Sequence, residues 1–112
     1  MSAITTHVLD ISRGCPAAGM RVELQVCNGD EWSSLGIAVT DDHGRCATLM
    51  GERKLQSGSY RLLFDAGSYF KIQLKETFYS EIPIVFEIVS PEAHYHVPLL
   101  ISPFGYSTYR GN

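Results

Sequence analysis

Apolar and polar residues alternate with a period of two through most of this chain, and only one short stretch breaks into a helical spacing. The clearest case is Met20 to Cys27, where Val22, Leu24 and Val26 stand between Arg21, Glu23 and Gln25, the pattern of a strand with one wet face. Ile4 to Asp10 reads as an earlier strand, followed by a turn-like Ser12 to Pro16 in which glycine and proline break the ladder. Asn28-Gly29-Asp30 is a hairpin signal leading into a strand over Trp32 to Thr40, with Leu35, Ile37 and Val39 on one face. Asp41 to Gly44 makes the next tight turn and delivers Arg45 to the rim of a short strand running to about Met50.

Glu52 to Gly58 is a polar connection, and Ser59 to Asp65 a further strand in which Leu62 and Phe64 share a face. Ser68 to Leu74 pairs Phe70 with Leu74 and Tyr69 with Ile72, a spacing that predicts about two turns of helix held by packing against a sheet. Ile82 to Val89 is a mostly buried strand whose Pro83 places its start at a sheet edge. Ala93 to Ile101 sends Tyr95, Val97, Leu99 and Ile101 to the core and His94, His96 and Pro98 to the outer face. After a turn at Ser102 to Gly105, Tyr106 to Arg110 forms the last strand.

Seven or eight short strands separated by turns imply an all-β chain of two stacked antiparallel sheets, a β-sandwich. The Cys-Trp-Cys order of an immunoglobulin domain is missing. At 112 residues the chain is expected to be a single domain over 1–112, able to form a core without staples. A formal charge of -3 leaves no basic footprint, so neither nucleic acid nor an anionic membrane surface is an expected partner. Cys15, Cys27 and Cys46 are odd in number and lack Cys-x-x-Cys spacing, which fits reduced thiols in the cytoplasm better than disulfides or a thiolate zinc site. The opening residues carry no basic n-region or long apolar run, so a cytoplasmic location is expected.

Chemistry gathers late in the chain. His94 and His96 share a strand face, an arrangement that can begin a metal site but needs further ligands, and Asp10, Glu87 and Glu92 have no metal-ligand spacing. Proton transfer near neutral pH is the sharper reading of these histidines, and His7 on the first strand projects outward in the same way. Arg45 and Arg110, each unremarkable alone, would together hold an oxygen-rich heterocycle and steady a developing oxyanion. No metal and no cofactor are called for.

Several motifs support one resemblance: His7-Val8-Leu9-Asp10 with Arg13-Gly14, Thr40-Asp41-Asp42-His43-Gly44-Arg45, Phe64 to Phe70, Glu76 to Tyr79, and His94 to the closing Tyr109-Arg110-Gly111-Asn112. Across nearly the whole chain these resemble the transthyretin-related 5-hydroxyisourate hydrolase family. The resemblance implies a transthyretin-like β-sandwich of two four-stranded sheets with one short helix. It also implies a homotetramer, a dimer of dimers with sites at subunit interfaces, acting on a small-molecule substrate of urate breakdown. It carries catalytic roles to His7, Arg45 and His96, and substrate contacts to these and to Tyr109, Arg110 and Gly111. His94 does not carry over, and strand parity alone does not choose between it and His96. Asn112 stands where the family places serine. The tail is expected to bring Arg110 beside His96. The competing expectation is a noncatalytic carrier of the same fold that binds a hydrophobic or aromatic ligand in an intersubunit channel.

Overall fold

The computed structural model describes residues 3–46, 48–51 and 53–112. Nine strands and one helix follow in order: β1 (Ile4–Asp10), β2 (Cys15–Pro16), β3 (Arg21–Asn28), β4 (Glu31–Val39), β5 (Arg45–Cys46), β6 (Gly58–Phe64), α1 (Ala66–Ile72), β7 (Ile82–Ile88), β8 (Tyr95–Ser102) and β9 (Gly105–Thr108) among the described residues. One sheet runs β4-β3-β6-β7 and the other β2-β1-β8-β9, with β5 also paired to β1. β2 and β5 take successive stretches of the same edge of β1, opposite Leu9 and Asp10 and opposite Thr6 and His7. At the level of Leu9 and Asp10 the second sheet is four strands wide, β2-β1-β8-β9, as expected. Its pairing departs from the all-antiparallel expectation, because β1 and β8 run parallel, Ile4 beside Tyr95 through Asp10 beside Ile101. Strands so far apart in the chain have room for the long crossover that parallel pairing requires.

The inner faces meet in one core. Ile4, Val8, Val97, Leu99 and Ile101 from one sheet pack on Val22, Leu24, Leu62, Phe64, Ile82 and Ile84 from the other, all buried. Fully burying a side chain of this kind stabilises the fold by about 1.5–3 kcal/mol. Among the described residues no buried side-chain nitrogen or oxygen lacks a partner. Thr6 donates to Val97 O at 2.6 Å, so its inward hydroxyl adds no desolvation penalty.

Three departures from the sequence expectations have local causes. In β4, Leu35 is the extra residue of a bulge, since Leu24 pairs with Gly36 and Gln25 with Ser34. Beyond the bulge Gly36 and Ala38 take the inner positions, and Ile37 and Val39 turn out to solvent. A Cβ at Gly36 would lie 2.1 Å from Leu49 O, so only glycine admits the loop there. The helix begins earlier than expected because Asp65 caps it, accepting the Ser68 N–H at 3.1 Å. Its buried stripe is Ala66, Tyr69 and Phe70, while Ile72 and Leu74 are exposed. Finally, the strand expected to reach Met50 is only Arg45–Cys46. Ala47 lies outside the described residues, and Gly51 N–H bonds back to Thr48 O in a turn.

Asp10, a candidate metal ligand by composition, faces inward and is fully buried. Its Oδ2 accepts from Tyr69 Oη at 2.8 Å, and its Oδ1 from Ser12 N, Ser12 Oγ and Arg13 N. This carboxylate ties α1 and the β1–β2 turn to the sheet. Burial, and then the neighbouring Asp10, push the Tyr69 hydroxyl up from its ordinary pKa of 10.0.

Candidate active site

The outer face of the β1–β8 sheet carries a compact lattice of polar groups. Thr5 sits beside His96, and His7 beside Pro98, across the parallel β1–β8 ladder. On the other edge of β1, His7 is opposite Arg45. Beyond β8, Gly111 is bridged to His96, with Gly111 N–H donating to His96 O at 2.8 Å. The face thus reads Arg45, His7, Pro98 along one row and Thr5, His96, Gly111 along the next. Strand alternation allows this because residues 5 and 7 and residues 96 and 98 share a face.

Arg45 is placed by its turn. Asp41 Oδ1 accepts the His43 and Arg45 N–H groups at 2.9 and 3.0 Å, and these bonds, led by the one from Arg45, lower the Asp41 pKa from 3.8. Gly44 has φ +77°, and a Cβ there would stand 2.3 Å from Val8 O. Its own carbonyl accepts the Val8 N–H at 2.8 Å. Glycine is required both by the left-handed backbone and by this closeness to β1. The result is a guanidinium at the rim, exposed, with no carboxylate in ion-pair range among the described residues.

His96 is held on both sides. Its Nδ1 lies 2.8 Å from Thr5 Oγ1. On the other side, a Cβ at Gly111 would be 2.6 Å from the ring's Cδ2, so the ring packs closely against a backbone that only glycine leaves open. Nδ1 and Cδ2 being engaged, Nε2 is the ring nitrogen left for a ligand. Partial burial, followed by the charges of His7, His94 and Arg45, lowers the His96 pKa from 6.5. A neutral imidazole with an open nitrogen is what a general base near neutral pH needs. Among the described residues no three histidine, cysteine or acidic side chains are grouped so as to hold a metal ion.

Residues 4–111 match the model of the HIUase/Transthyretin family. The chain belongs to that family. It is 43% identical over 118 residues to a Pseudomonas aeruginosa 5-hydroxyisourate hydrolase, spanning 100% of this chain and 93% of the relative. The structure of Klebsiella pneumoniae 5-hydroxyisourate hydrolase superposes with a TM-score of 0.82 at 38% identity, covering 97% of this chain and 92% of that one. Sea bream transthyretin in complex with thyroxine superposes with a TM-score of 0.91 at 30% identity, covering 98% and 95%. Backbone similarity is higher to the thyroxine-bound protein and sequence identity is higher to the hydrolases. Fold therefore does not separate them, and side chains must.

Of the residues expected in the HIUase/transthyretin site, the structure brings together His7, Arg45, His96 and Gly111. The tail continues the register of Leu99 with Thr108, and with Gly111 on the His96 face this puts Tyr109 outward and Arg110 inward. Parity accordingly turns the Arg110 side chain to the face opposite the His96 ring, although both residues border one slot. Its Cζ lies 4.6 Å over the ring of Tyr95, in a slot that Ile84, Phe86 and Glu87 help to line. Tyr95 is the neighbour of His96 in the strand and points to the opposite face, so the strand parity that presents His96 outward directs the Arg110 guanidinium to the other face. Asn112 is exposed. Two residues outside the expected set join the site: Thr5, and His94, whose Nε2 is 3.1 Å from the same Thr5 hydroxyl. Alternation on β1 puts Thr5 on the His7 face, a signal legible in the sequence, but its partner across a parallel ladder is not.

Proposed function

We propose that this chain hydrolyses 5-hydroxyisourate, opening the six-membered ring at an amide bond to give 2-oxo-4-hydroxy-4-carboxy-5-ureidoimidazoline in urate degradation. The observation that carries this reading is the outer face itself: His7, Arg45 and His96 converge there, and none of them is ion-paired to a carboxylate among the described residues. Near 40% identity to hydrolases over nearly the full chain supports it. A carrier of apolar aromatic ligands has no use for this constellation.

In the mechanism we envisage, one histidine accepts a proton from water as the water oxygen attacks the ring carbonyl carbon. The other delivers a proton to the nitrogen as the carbon–nitrogen bond breaks, so water is divided between the two new ends. The lowered pKa and open Nε2 of His96 favour it as the base. Arg45 stabilises negative charge on the carbonyl oxygen, an electrostatic role that needs no metal. Tyr109 and the Gly111 backbone border the substrate on the outer face, whereas Arg110 acts on substrate only if its side chain leaves Tyr95. A homotetramer, a dimer of dimers, would close the half-buried histidines against a second subunit and exclude water. A cytoplasmic location completes the proposal.

The decisive test is to generate 5-hydroxyisourate enzymatically from urate and follow its ultraviolet signal with and without the protein. Accelerated disappearance is expected, and decay at the spontaneous rate would refute the reading. His7→Ala, Arg45→Ala and His96→Ala should each lower kcat/KM about 100-fold or more while remaining folded; a fully active variant removes that residue from the mechanism.

A further inference from the structure

Two histidines share one hydroxyl on this face. Thr5 Oγ1 is 2.8 Å from His96 Nδ1 and 3.1 Å from His94 Nε2. A threonine hydroxyl has a single proton to donate, so it cannot donate to both ring nitrogens at once, although its two lone pairs could accept from both. A proton passes between the rings only where one offers a lone pair and the other an N–H. Two arrangements do this. In the first, His96 Nδ1–H donates to Thr5 and Thr5 donates to His94 Nε2, leaving His96 Nε2 as a bare lone pair. In the second, His94 Nε2–H donates to Thr5 and Thr5 donates to His96 Nδ1, and His96 then carries its proton on Nε2. The first form is a base toward substrate and the second an acid.

We propose that Thr5 and His94 form a proton relay behind His96, with Thr5 setting its tautomer and His94 exchanging its proton with solvent. This rests on the hydrolytic reading above. The transfers balance. His96 Nε2 takes a proton from the attacking water, its Nδ1 proton passes to Thr5 Oγ1, the original hydroxyl proton passes to His94 Nε2, and His94 releases its Nδ1 proton to solvent. His96 is then neutral and protonated on Nε2, able to return that proton to His7 once His7 has protonated the departing nitrogen, as Nδ1 regains one back through Thr5 and His94. No oxidant or further reactant is needed.

The placement of each group favours transfer over simple bracing. His96 is half-buried, while His94, just ahead of β8, is exposed in the protomer. The hydroxyl between them is fixed by β1 pairing with β8, Thr5 lying directly beside His96. Partial burial, and then the charges of His7, His94 and Arg45, disfavour a charged His96, so rapid removal of its second proton is of use. The ring needs no help from His94 for its orientation, because Gly111 already holds its far side.

The test uses the full-length protein and steady-state turnover of 5-hydroxyisourate at low and high concentrations of a small imidazole buffer. His94→Gln is exposed and should fold normally. Its kcat at low buffer should fall about tenfold with KM little changed, a modest share of an acid–base contribution, and imidazole should restore it. Wild type should show no such buffer dependence. Thr5→Val should lose kcat by at least as much without rescue, and Thr5→Ser should keep most of it. Full activity of His94→Gln at low buffer, or a loss that imidazole leaves unchanged, overturns the relay. So does a Thr5→Val protein of undiminished kcat. A wild-type protein that fails to accelerate substrate decay refutes the hydrolytic reading instead, which keeps the two failures apart.

Discussion

At the scale of single residues, His96 shows how a common side chain acquires a special state. Its ring is confined by a hydroxyl at 2.8 Å and by a glycine that cannot be anything larger without moving it. Partial burial and then the neighbouring cations lower its pKa from 6.5. The unfolded chain therefore binds a proton at a pH where the native ring does not. Above 6.5 both states hold the neutral form and this group has no effect on stability; as pH falls below 6.5 it increasingly favours the unfolded chain. For turnover with His96 as the proposed base the sign is favourable, since its neutral form persists into mild acid. The acidic limb of kcat/KM, which reports the free enzyme, is expected to have its midpoint below pH 6.5. A limb at or above that value, in a pH–rate profile that His96→Ala abolishes, would show that burial does not control the base.

Elements determine where these residues can stand. The Asp41–Gly44 turn was readable from composition, as was its delivery of Arg45, because aspartate and glycine at these spacings have few other uses. The closeness of that turn to β1 was not readable, since a Cβ at Gly44 meets Val8 O, a residue far off in the chain. Gly44→Ala combines a left-handed backbone with this collision. It should cost about 3 kcal/mol in urea unfolding and lower kcat/KM about tenfold by shifting Arg45. A variant of wild-type stability would mean that the turn relaxes freely. The β4 bulge and the helix stripe teach the same lesson. Periodicity found both elements, but one inserted residue at Leu35 reversed the outlook of Ile37 and Val39, and the cap at Asp65 moved the helix so that Tyr69 and Phe70, rather than Ile72 or Leu74, were buried.

For the molecule as a whole, the site lies on an outer sheet face instead of in a closed cavity. His7 and His96 are half-buried there, and Arg45 is open to solvent. Amide hydrolysis by preorganised charge works best where water is excluded, because a low dielectric strengthens each electrostatic contact. Activity should therefore follow the assembly of the proposed homotetramer. Specific activity per protomer is expected to fall as dilution dissociates it, read by turnover alongside light scattering or sedimentation. Folded protomers or dimers with undiminished activity would place the complete site within fewer chains.

The sequence by itself determined the class of fold and singled out the candidate reactive groups. Two-residue alternation, turn residues at short intervals and outward histidines are local properties, decided by neighbours a few positions away. Tertiary structure decided which of these groups meet. The parallel β1–β8 register set Thr5 rather than His7 directly beside His96, the tail's pairing through Gly111 turned Arg110 to Tyr95, and a shared hydroxyl joined His94 to the site. These outcomes depend on strand register across long separations. A slip of one residue exchanges the two faces of a strand, and no local pattern in this chain specifies which partner residue lies opposite.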